Sequence, residues 1–232
     1  LFSSSRDVKL VKDILENNVD TKYLCSKDFT AKIYQALDGD LNKIHGYRLT
    51  DYRGGNALHS WELDLKGKCS KDEIDFMNSL IANRRKKIFG THKDGKSLTK
   101  EQIFTFYDPK KFEQVTPSLI NKGYLQITSE GYKPVCGNMS FEVFKFLDPN
   151  SISITLTASD SNRLGIYHQG SLRRITPREC ARIQGYPDTY QLINDQAVYK
   201  QMGNGVSVPV VKNVIFDFFN SNHIFEPKKL TA

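Results

Sequence analysis

A short helix with a clearly marked beginning and end lies in the last third of the chain, in the segment TPRECARIQGYP at residues 176–187. Thr176 and Glu179 have the spacing of a capping box, in which each side chain accepts the other's backbone N–H. Pro177 occupies the first helical position, where no N–H is needed. Gly185 favours the left-handed conformation that ends a helix. The pattern therefore predicts a rigid helix that ends just before Gly185.

The predicted helix presents two arginines and a cysteine. Arg178 and Arg182 are four positions apart and therefore lie on one face. Cys180 falls in the middle of the helix, away from the amino-terminal end at which a thiolate is stabilised, so we predict a packed thiol without a catalytic role. The remaining cysteines are widely spaced and have no histidine at zinc-binding spacing, so no metal site is predicted: Cys25, Cys69 and Cys136.

Two further segments carry recognisable patterns. In SISITLTASD, Ile152, Ile154 and Leu156 alternate with polar residues and predict a strand. In YKQMGNGVSVPVV, the run from Gly203 to Gly205 predicts a sharp turn, followed by an apolar helix that begins near Ser207 or Val208. Backbone N–H groups before a helix of this kind can bind a polar ligand.

The first half of the chain predicts several helices. Apolar residues at helical spacing, among them Val8, Val11 and Ile14, predict an amphipathic helix over Asp7–Glu16. Residues 70–90 predict a second helix with a capping box formed by Ser70 and Glu73. The basic residues at 84–87 close it, and they either lie in solvent or contact phosphate.

The segment from about 97 to 136 predicts three helices and a hairpin. Thr99 caps the first helix, the second follows Pro109, and Pro117 opens the third. Alternation on both sides of residues 129–131 predicts the hairpin. This order resembles a winged-helix module, which either binds DNA or serves only for packing.

A loop around DYRGGNALHSW offers side chains that could read DNA bases. Gly54 and Gly55 predict a tight turn, which we expect to be flanked by exposed polar and aromatic side chains. These side chains either contact base edges or satisfy one another around the loop, and the sequence leaves both alternatives open: Arg53, Asn56, His59 and Trp61.

The charge of the chain is compatible with a polyanionic partner. Lys and Arg number 33 against 26 Asp and Glu, which gives a net charge of +7. Basic residues supply most of the non-specific affinity for nucleic acid because they neutralise phosphates. The sequence contains no long apolar run and no signal-peptide pattern, so we predict neither a membrane span nor export.

Three of these segments, taken together and in order, resemble the carboxy-terminal portion of DNA cytosine-5 methyltransferases: SISITLTASD, TPRECARIQGYP and YKQMGNGVSVPVV. The segment around Arg178 is similar to the ninth motif of that family, and the segment around Asn204 is similar to the tenth. ITLTAS is similar to the strand that closes the family's target-recognition domain. The resemblance covers the whole chain in layout, and its residue-level matches are concentrated after Ser151.

Three features of the family are missing from the sequence. It lacks the glycine-rich strand-turn that binds the cofactor, the Glu-Asn-Val signature and the catalytic Pro-Cys loop, since no proline precedes any of its cysteines. We therefore expect this chain to be the second half of such an enzyme, as a fragment or as a separate subunit. We expect the nucleophile on the N-terminal part and no activity from this chain alone.

The resemblance implies roles for particular residues. The family flips a cytosine out of the duplex, attacks its carbon 6 with a cysteine and methylates carbon 5 from S-adenosylmethionine. Arg178, Glu179 and Arg182 would order the junction between the recognition domain and the catalytic sheet. The S-adenosylmethionine pocket would be completed by Asn204, Gly205 and Val206. DNA would be contacted by Thr155 and Ser159 near the flipped base and by Arg163 at phosphates, and residue type adds Arg53 and Asn56.

The predicted architecture is α/β. Residues 1–20 form a linking helix, residues 21–172 a mixed target-recognition domain with the winged-helix-like insertion, and residues 173–232 the last elements of a Rossmann-like methyltransferase domain. The expected partners are double-stranded DNA and the N-terminal catalytic half, in a bacterial cytoplasm and within a restriction–modification system. The alternatives are a non-enzymatic winged-helix DNA-binding protein and a decayed methyltransferase remnant.

Overall fold

The computed structural model describes residues 9–90, 97–136 and 141–221, and their fold is α/β, as predicted. The chain divides into two compact units. The first unit comprises Leu1–Tyr23, Leu147–Leu164 and Arg174–Ala232, and the second comprises Leu24–Phe146 and Gly165–Arg173.

The described residues form helices and short strands. The helices are α1 Lys27–Ala36, α2 Lys71–Asn83, α3 Lys100–Phe104, α4 Pro109–Asn121, α5 Pro177–Ile183, α6 Asp195–Asn204 and α7 Val208–Ser221. The strands are β1 Arg48–Leu49, β2 Ala57–Leu58, β3 Leu125–Thr128, β4 Gly131–Pro134, β5 Lys145–Phe146, β6 Leu164–His168 and β7 Ser171–Arg174. Single 3-10 turns occur at Val11–Ile14, Thr21–Tyr23, Leu41–Ile44, Lys87–Phe89 and Ser161–Arg163.

A five-stranded mixed sheet organises one part of the second unit. Its strand order is β2-β1-β5-β6-β7, with β1 parallel to β2 and antiparallel to β5. Ile33 of α1 packs in the same core as Leu49 and Phe146. The buried apolar side chains on this sheet fix the base of the loop between β1 and β2, which carries Arg53 and Asn56.

A helical module forms the other part of the second unit. Helices α2, α3 and α4 are followed by the hairpin of β3 and β4. Leu98, which precedes α3, adds an isolated antiparallel bridge to Tyr132 of β4. The core of the module is aromatic, with Phe76, Phe112 and Tyr124 fully buried. The hairpin and the capping box of Ser70 and Glu73 are as predicted, as is the cap at Thr99.

Two predicted boundaries in the second unit are wrong. Pro117 does not open a helix but lies inside α4, on its solvent-exposed side. A proline there frees the carbonyl four residues earlier, and on the exposed side that carbonyl can bond water. The helix predicted for residues 70–90 ends at Asn83, and Arg84, the first residue of the predicted basic tail, is 1% exposed.

Two predictions in the first unit are also wrong. The expected helix over Asp7–Glu16 is a single 3-10 turn where it is described, because the N–H groups of Val11 and Lys12 bond the carbonyls of Ser151 and Pro149. The structure of residues 1–8 lies outside the described part. Residues 151–156 form no strand despite their alternation, since no ladder of backbone hydrogen bonds pairs them with another segment.

Candidate functional site

Helix α5 of the first unit is fixed by its own cap and by a buried carboxylate. Thr176 N–H donates to Glu179 Oε2 at 2.8 Å, and Glu179 N–H donates to Thr176 Oγ1 at 3.1 Å. The Glu179 side chain is fully buried and also accepts the backbone N–H of Glu16 at 2.9 Å. A buried carboxylate is costly unless it is hydrogen-bonded. Glu179 therefore holds α5 to the segment that contains Glu16.

Both arginines of α5 bind the chain itself. Arg182 pairs with Asp188 in a bidentate geometry, at 2.7 Å from Nε and 2.9 Å from Nη2, and it donates to the carbonyl of Ile14 at 3.1 Å. The Arg182 guanidinium holds the pKa of the Asp188 carboxyl below its usual value. Arg178 donates to the carbonyl of Tyr190 at 2.9 Å. These contacts suit a bracing role better than phosphate binding.

Cys180 is fully buried, as its mid-helix position predicted. Burial raises the pKa of its thiol well above the ordinary value, and the neighbouring Glu179 carboxylate raises it further. A cysteine nucleophile reacts as the thiolate, which requires a lowered pKa and access. Cys180 therefore packs and does no covalent chemistry in the folded chain.

The end of α5 fixes the start of α7. Gln184 donates through Nε2 to the carbonyls of Met202 and Gly205, and its own carbonyl accepts the N–H of Val208 at 2.8 Å. Gly185 has a φ of +82°, and a Cβ there would lie 2.3 Å from Pro209 Cδ. The two motif segments are thus packed against each other with no space between them.

Gly203 and Asn204 do not form the predicted sharp turn, because both belong to the last turn of α6. A Cβ at Gly203 would lie 2.3 Å from the backbone of Thr157 and of Ala158. The glycine is therefore required for close approach of two backbones and not for a change of chain direction. This contact also fixes the position of Ser159 relative to the end of α6.

The three predicted cofactor residues form a continuous exposed strip between α6 and α7. Asn204, Gly205 and Val206 are all exposed, with Val206 at 65%. The backbone behind them is held, since Gly205 N–H donates to Gln201 O at 2.8 Å. The Asn204 side chain makes no hydrogen bond within the described residues. The strip therefore offers an amide and an apolar side chain on a fixed backbone.

Helix α7 exposes a row of apolar side chains. Its positions 211, 214, 215 and 218 follow the i, i+3, i+4, i+7 spacing of a helix face that packs against another element. The exposed fractions are 41% for Val211, 57% for Val214, 49% for Ile215 and 58% for Phe218. Contiguous exposed apolar surface of this kind marks an interaction site. We refer to these four residues as the α7 stripe.

A basic pocket of about 400 Å³ lies in the same unit. Asp195 is one of its lining residues and accepts hydrogen bonds from the Tyr23 hydroxyl at 2.7 Å and the Lys22 ammonium at 2.8 Å. These partners hold the pKa of Asp195 below its usual value, while the Asp195 hydrogen bond raises the pKa of Lys22 to about 12. The pocket is lined by Lys22, Tyr23, Ala158, Ser159, Asn162, Arg174, Asp195, Gln196, Tyr199 and Lys200.

The structure places only one of the predicted DNA contacts in this pocket. Ser159 lines the pocket, whereas Thr155 and Arg163 do not. Thr155 is exposed, and Arg163 is half-buried at the end of the 3-10 turn Ser161–Arg163. Sequence reasoning missed the cations Lys22 and Lys200, which come from two separate segments. No local pattern could have identified them, because only folding brings them together.

The loop between β1 and β2 of the second unit presents Arg53 and Asn56. Both are exposed, and neither side chain has a hydrogen-bond or ion-pair partner in the described part of the chain. The loop is fixed at its base by Asp51, which is fully buried and accepts the N–H of Ser60 at 2.7 Å. Gly55, with a φ of +89°, allows the turn at its tip. Arg53 and Asn56 are thus displayed on a rigid support.

His59 and Trp61 are not exposed around this loop, contrary to the prediction. Trp61 is fully buried and donates through Nε1 to Asn78 at 2.8 Å, and His59 is 4% exposed and stacks on it at 4.6 Å between ring centroids. Trp61 belongs to the buried core of the helical module, and the ring of His59 hydrogen-bonds through Nδ1 with the Thr50 carbonyl. Both rings are therefore bound within the chain.

Among the described residues, no helix is both long and apolar enough to cross a membrane. Within the same residues, His, Cys, Asp and Glu side chains do not cluster in threes in a way that would hold a metal ion.

Comparison with known proteins identifies similar chains. A family model described as C-5 cytosine-specific DNA methylase matches residues 3–220. The chain is 57% identical over 223 residues to Type II methyltransferase M.BanI of Aneurinibacillus aneurinilyticus, covering 95% of this chain and 52% of that protein. It is 57% identical over 222 residues to Type II methyltransferase M.HgiCI of Herpetosiphon aurantiacus, with the same coverage of 95% and 52%. To Type II methyltransferase M.NlaIV of Neisseria lactamica it is 36% identical over 236 residues, with coverage of 92% and 54%. The chain thus spans about half the length of the curated relatives it matches.

Proposed function

Since the chain belongs to the C-5 cytosine-specific DNA methylase family, we propose that it supplies the carboxy-terminal, DNA-recognising part of a DNA (cytosine-5) methyltransferase. The complete enzyme transfers a methyl group from S-adenosylmethionine to carbon 5 of a cytosine in a specific duplex sequence, within a restriction–modification system. The nucleophile belongs to the part of the relatives that this chain does not match.

The observation that carries the proposal is the exposed α7 stripe. Its four apolar side chains are 41% to 58% exposed, although their spacing is that of a packed face. The helix directly follows the strip formed by Asn204, Gly205 and Val206. A complementary half that covers the α7 stripe would therefore also close over these three residues. This is the arrangement that a shared cofactor pocket requires.

The residues of the strip fit one wall of a pocket for S-adenosylmethionine. Asn204 offers an unpaired amide for hydrogen bonds, and Val206 offers an exposed apolar surface for a ring. When bound, S-adenosylmethionine supplies an activated methyl group on its sulfonium sulfur. The contribution of this chain is to bind and orient that donor, with Gln184 holding the Gly205 carbonyl in place.

The cysteines support a nucleophile located elsewhere. Burial raises the pKa of the Cys69 thiol to about 12, and burial also raises the pKa values of Cys136 and Cys180. Covalent attack on cytosine requires a thiolate activated by a nearby base, a cation or a helix amino terminus. Burial instead disfavours the thiolate form of Cys69, Cys136 and Cys180.

Two surfaces support duplex DNA as the substrate. In the first unit, Lys22, Arg174 and Lys200 line a pocket with Ser159 and provide positive charge for phosphates. In the second unit, the order of α2, the Leu98 bridge, α3, α4 and the hairpin supports a winged-helix-like insertion. Arg53 and Asn56 are free to contact base edges.

The test is reconstitution. The chain is mixed with the part of M.BanI that it does not match, and transfer of tritiated methyl groups from S-adenosylmethionine to plasmid DNA is measured. We expect transfer by the mixture only and weak duplex binding by the chain alone. Asn204→Ala should raise the KM for S-adenosylmethionine, while Asn18→Ala, an exposed asparagine outside the strip, should not. Robust methylation by the chain alone, or none by the mixture, would overturn the proposal.

A further inference from the structure

We propose that helix α4 is the base-reading helix of this chain and that its outward side chains Lys110, Gln114 and Asn121 enter the major groove of the target duplex. The inference rests on the proposed function, which makes duplex DNA the substrate. It adds the element and the side chains that select the sequence.

The topology around α4 is the first step. Helix α3 carries a cap at Thr99 and is followed, after four residues, by α4, whose cap is Asp108. The chain then forms the hairpin of β3 and β4, and Leu98 pairs with Tyr132 across it. In helix-turn-helix modules with this order, the second helix of the pair enters the major groove. Helix α4 holds that position.

The face that α4 turns away from its core is the second step. Its buried residues are Phe112, Val115, Thr116 and Leu119, all on one side. At 100° per residue, positions 110, 114, 117 and 121 lie on the opposite side and span about 16 Å, or three turns. This length matches the part of a helix that can lie within the groove. The positions are occupied by Lys110, Gln114, Pro117 and Asn121, and all four are exposed.

The chemistry of these side chains is the third step. Lysine donates to guanine or to phosphate, and glutamine and asparagine pair with adenine through two hydrogen bonds. Lys110, Gln114 and Asn121 make no hydrogen bond or ion pair with any residue in the described ranges. All their donors and acceptors are therefore available to a ligand.

The electrostatics around α4 are the fourth step. Glu113 is paired with Lys100 at 2.7 Å, Asp72 with Lys111 at 2.9 Å and Glu73 with Lys122 at 2.8 Å. The Lys122 ammonium and the Ser70 N–H hold the pKa of Glu73 below its usual value against the opposing effect of burial. Three carboxylates beside α4 are thus paired with lysines, Asp108 caps the helix by accepting the N–H of Lys111, and Lys110 has no ion-pair partner among the described residues. The outward face is compatible with a polyanion.

The experiment is selection of DNA sequences. The chain, reconstituted with the unmatched part of M.BanI, selects from duplex oligonucleotides with a randomised centre in the presence of S-adenosylmethionine. The test variant is Lys110→Ala/Gln114→Ala/Asn121→Ala. The matched control is Lys27→Ala/Gln35→Ala on α1, which removes an exposed lysine and glutamine from a helix of the same unit. Circular dichroism melting checks that both variants fold.

We expect the test variant to bind the wild-type consensus about tenfold more weakly or worse and to lose preference at one or more positions. The slope of log K against log salt should fall by about one from the loss of Lys110. The control variant should keep the wild-type consensus and affinity.

Three results would overturn the inference. The first is a test variant that keeps the wild-type consensus and affinity. The second is a test variant that loses affinity with an unchanged consensus, which would make α4 a phosphate contact only. In both cases the proposed function stands if the mixture still methylates DNA. If the wild-type mixture neither binds nor methylates duplex DNA, the proposed function fails and the inference fails with it.

Discussion

The exposed α7 stripe predicts how strongly the complementary half that we propose should bind. Val214 and Phe218 lie one turn apart and are 57% and 58% exposed. Full burial of a valine or phenylalanine side chain is worth about 1.5–3 kcal/mol, so covering the exposed half of each contributes about 0.75–1.5 kcal/mol. The variant Val214→Ser/Phe218→Ser should therefore weaken docking by about 1.5–3 kcal/mol, or roughly 10- to 150-fold in Kd.

The assay is titration of the labelled, unmatched part of M.BanI with this chain, followed by fluorescence anisotropy. The control is Ile152→Ser, which removes an apolar side chain that is 65% exposed in the same unit but lies outside the α7 stripe. The stripe variant should also lose methyl transfer in proportion to complex formed and regain it at high chain concentration. An unchanged Kd for the stripe variant would refute the argument that the α7 stripe is the docking face.

Three further predictions concern the first unit. Gly203→Ala places a Cβ 2.3 Å from the backbone of Thr157, and since no rotamer change relieves that overlap, it should lower stability by about 1–3 kcal/mol or more, measured as a lower urea midpoint. Cys180 should resist iodoacetamide at pH 8 in the folded chain, since burial raises its pKa, and become reactive in urea. Asp195 has a lowered pKa from its bonds to Lys22 and Tyr23. Its stabilising effect is therefore present above the unfolded pKa, so the stability difference between wild type and Asp195→Asn should shrink as pH falls below the ordinary aspartate pKa of about 3.9 and disappear once the folded carboxyl is protonated.

The sequence predicts those parts of the fold that depend on residues three or four positions apart. The capping boxes at Ser70 and Thr176 are present with the expected partners, and the hairpin turns where its glycine indicates. Caps and tight turns are decided by hydrogen bonds within one helical turn or one loop. No distant segment has to be known in order to predict them.

The failures come from residues whose partners are distant in the chain. Ile152 and Ile154 alternate as a strand would, but a strand exists only where a second segment supplies the ladder. Gly203 suggested a turn, whereas the backbone of Thr157 determines why a glycine is needed there. His59 is polar enough for a surface loop, yet it is buried because it stacks on Trp61. In each case tertiary packing overrode a local preference.

The candidate site shows the same limit in its chemistry. Residue type alone does not show whether Arg182 binds phosphate or stabilises the fold. Its bidentate pairing with Asp188 shows that it stabilises the fold. In contrast, Lys22 and Lys200 carry no motif and are nevertheless the cations that line the basic pocket. Residue type indicates what a side chain can bind, and only the fold determines whether it is already bound.

The two segments that resemble family motifs differ in how far their side chains are already buried or bound within the chain. In α5, Glu179 and Cys180 are fully buried, and the arginines are bound to carbonyls or to Asp188. The strip around Asn204 and the α7 stripe remain exposed, with apolar area that water solvates poorly. A segment whose buried carboxylate and both guanidinium groups are bound to the chain itself is structural, whereas an exposed apolar helix beside an unpaired amide requires further atoms. The cofactor site that we propose should therefore form only when a second body of protein covers α7. Docking and cofactor binding would then be thermodynamically linked, and each should strengthen the other by the same factor.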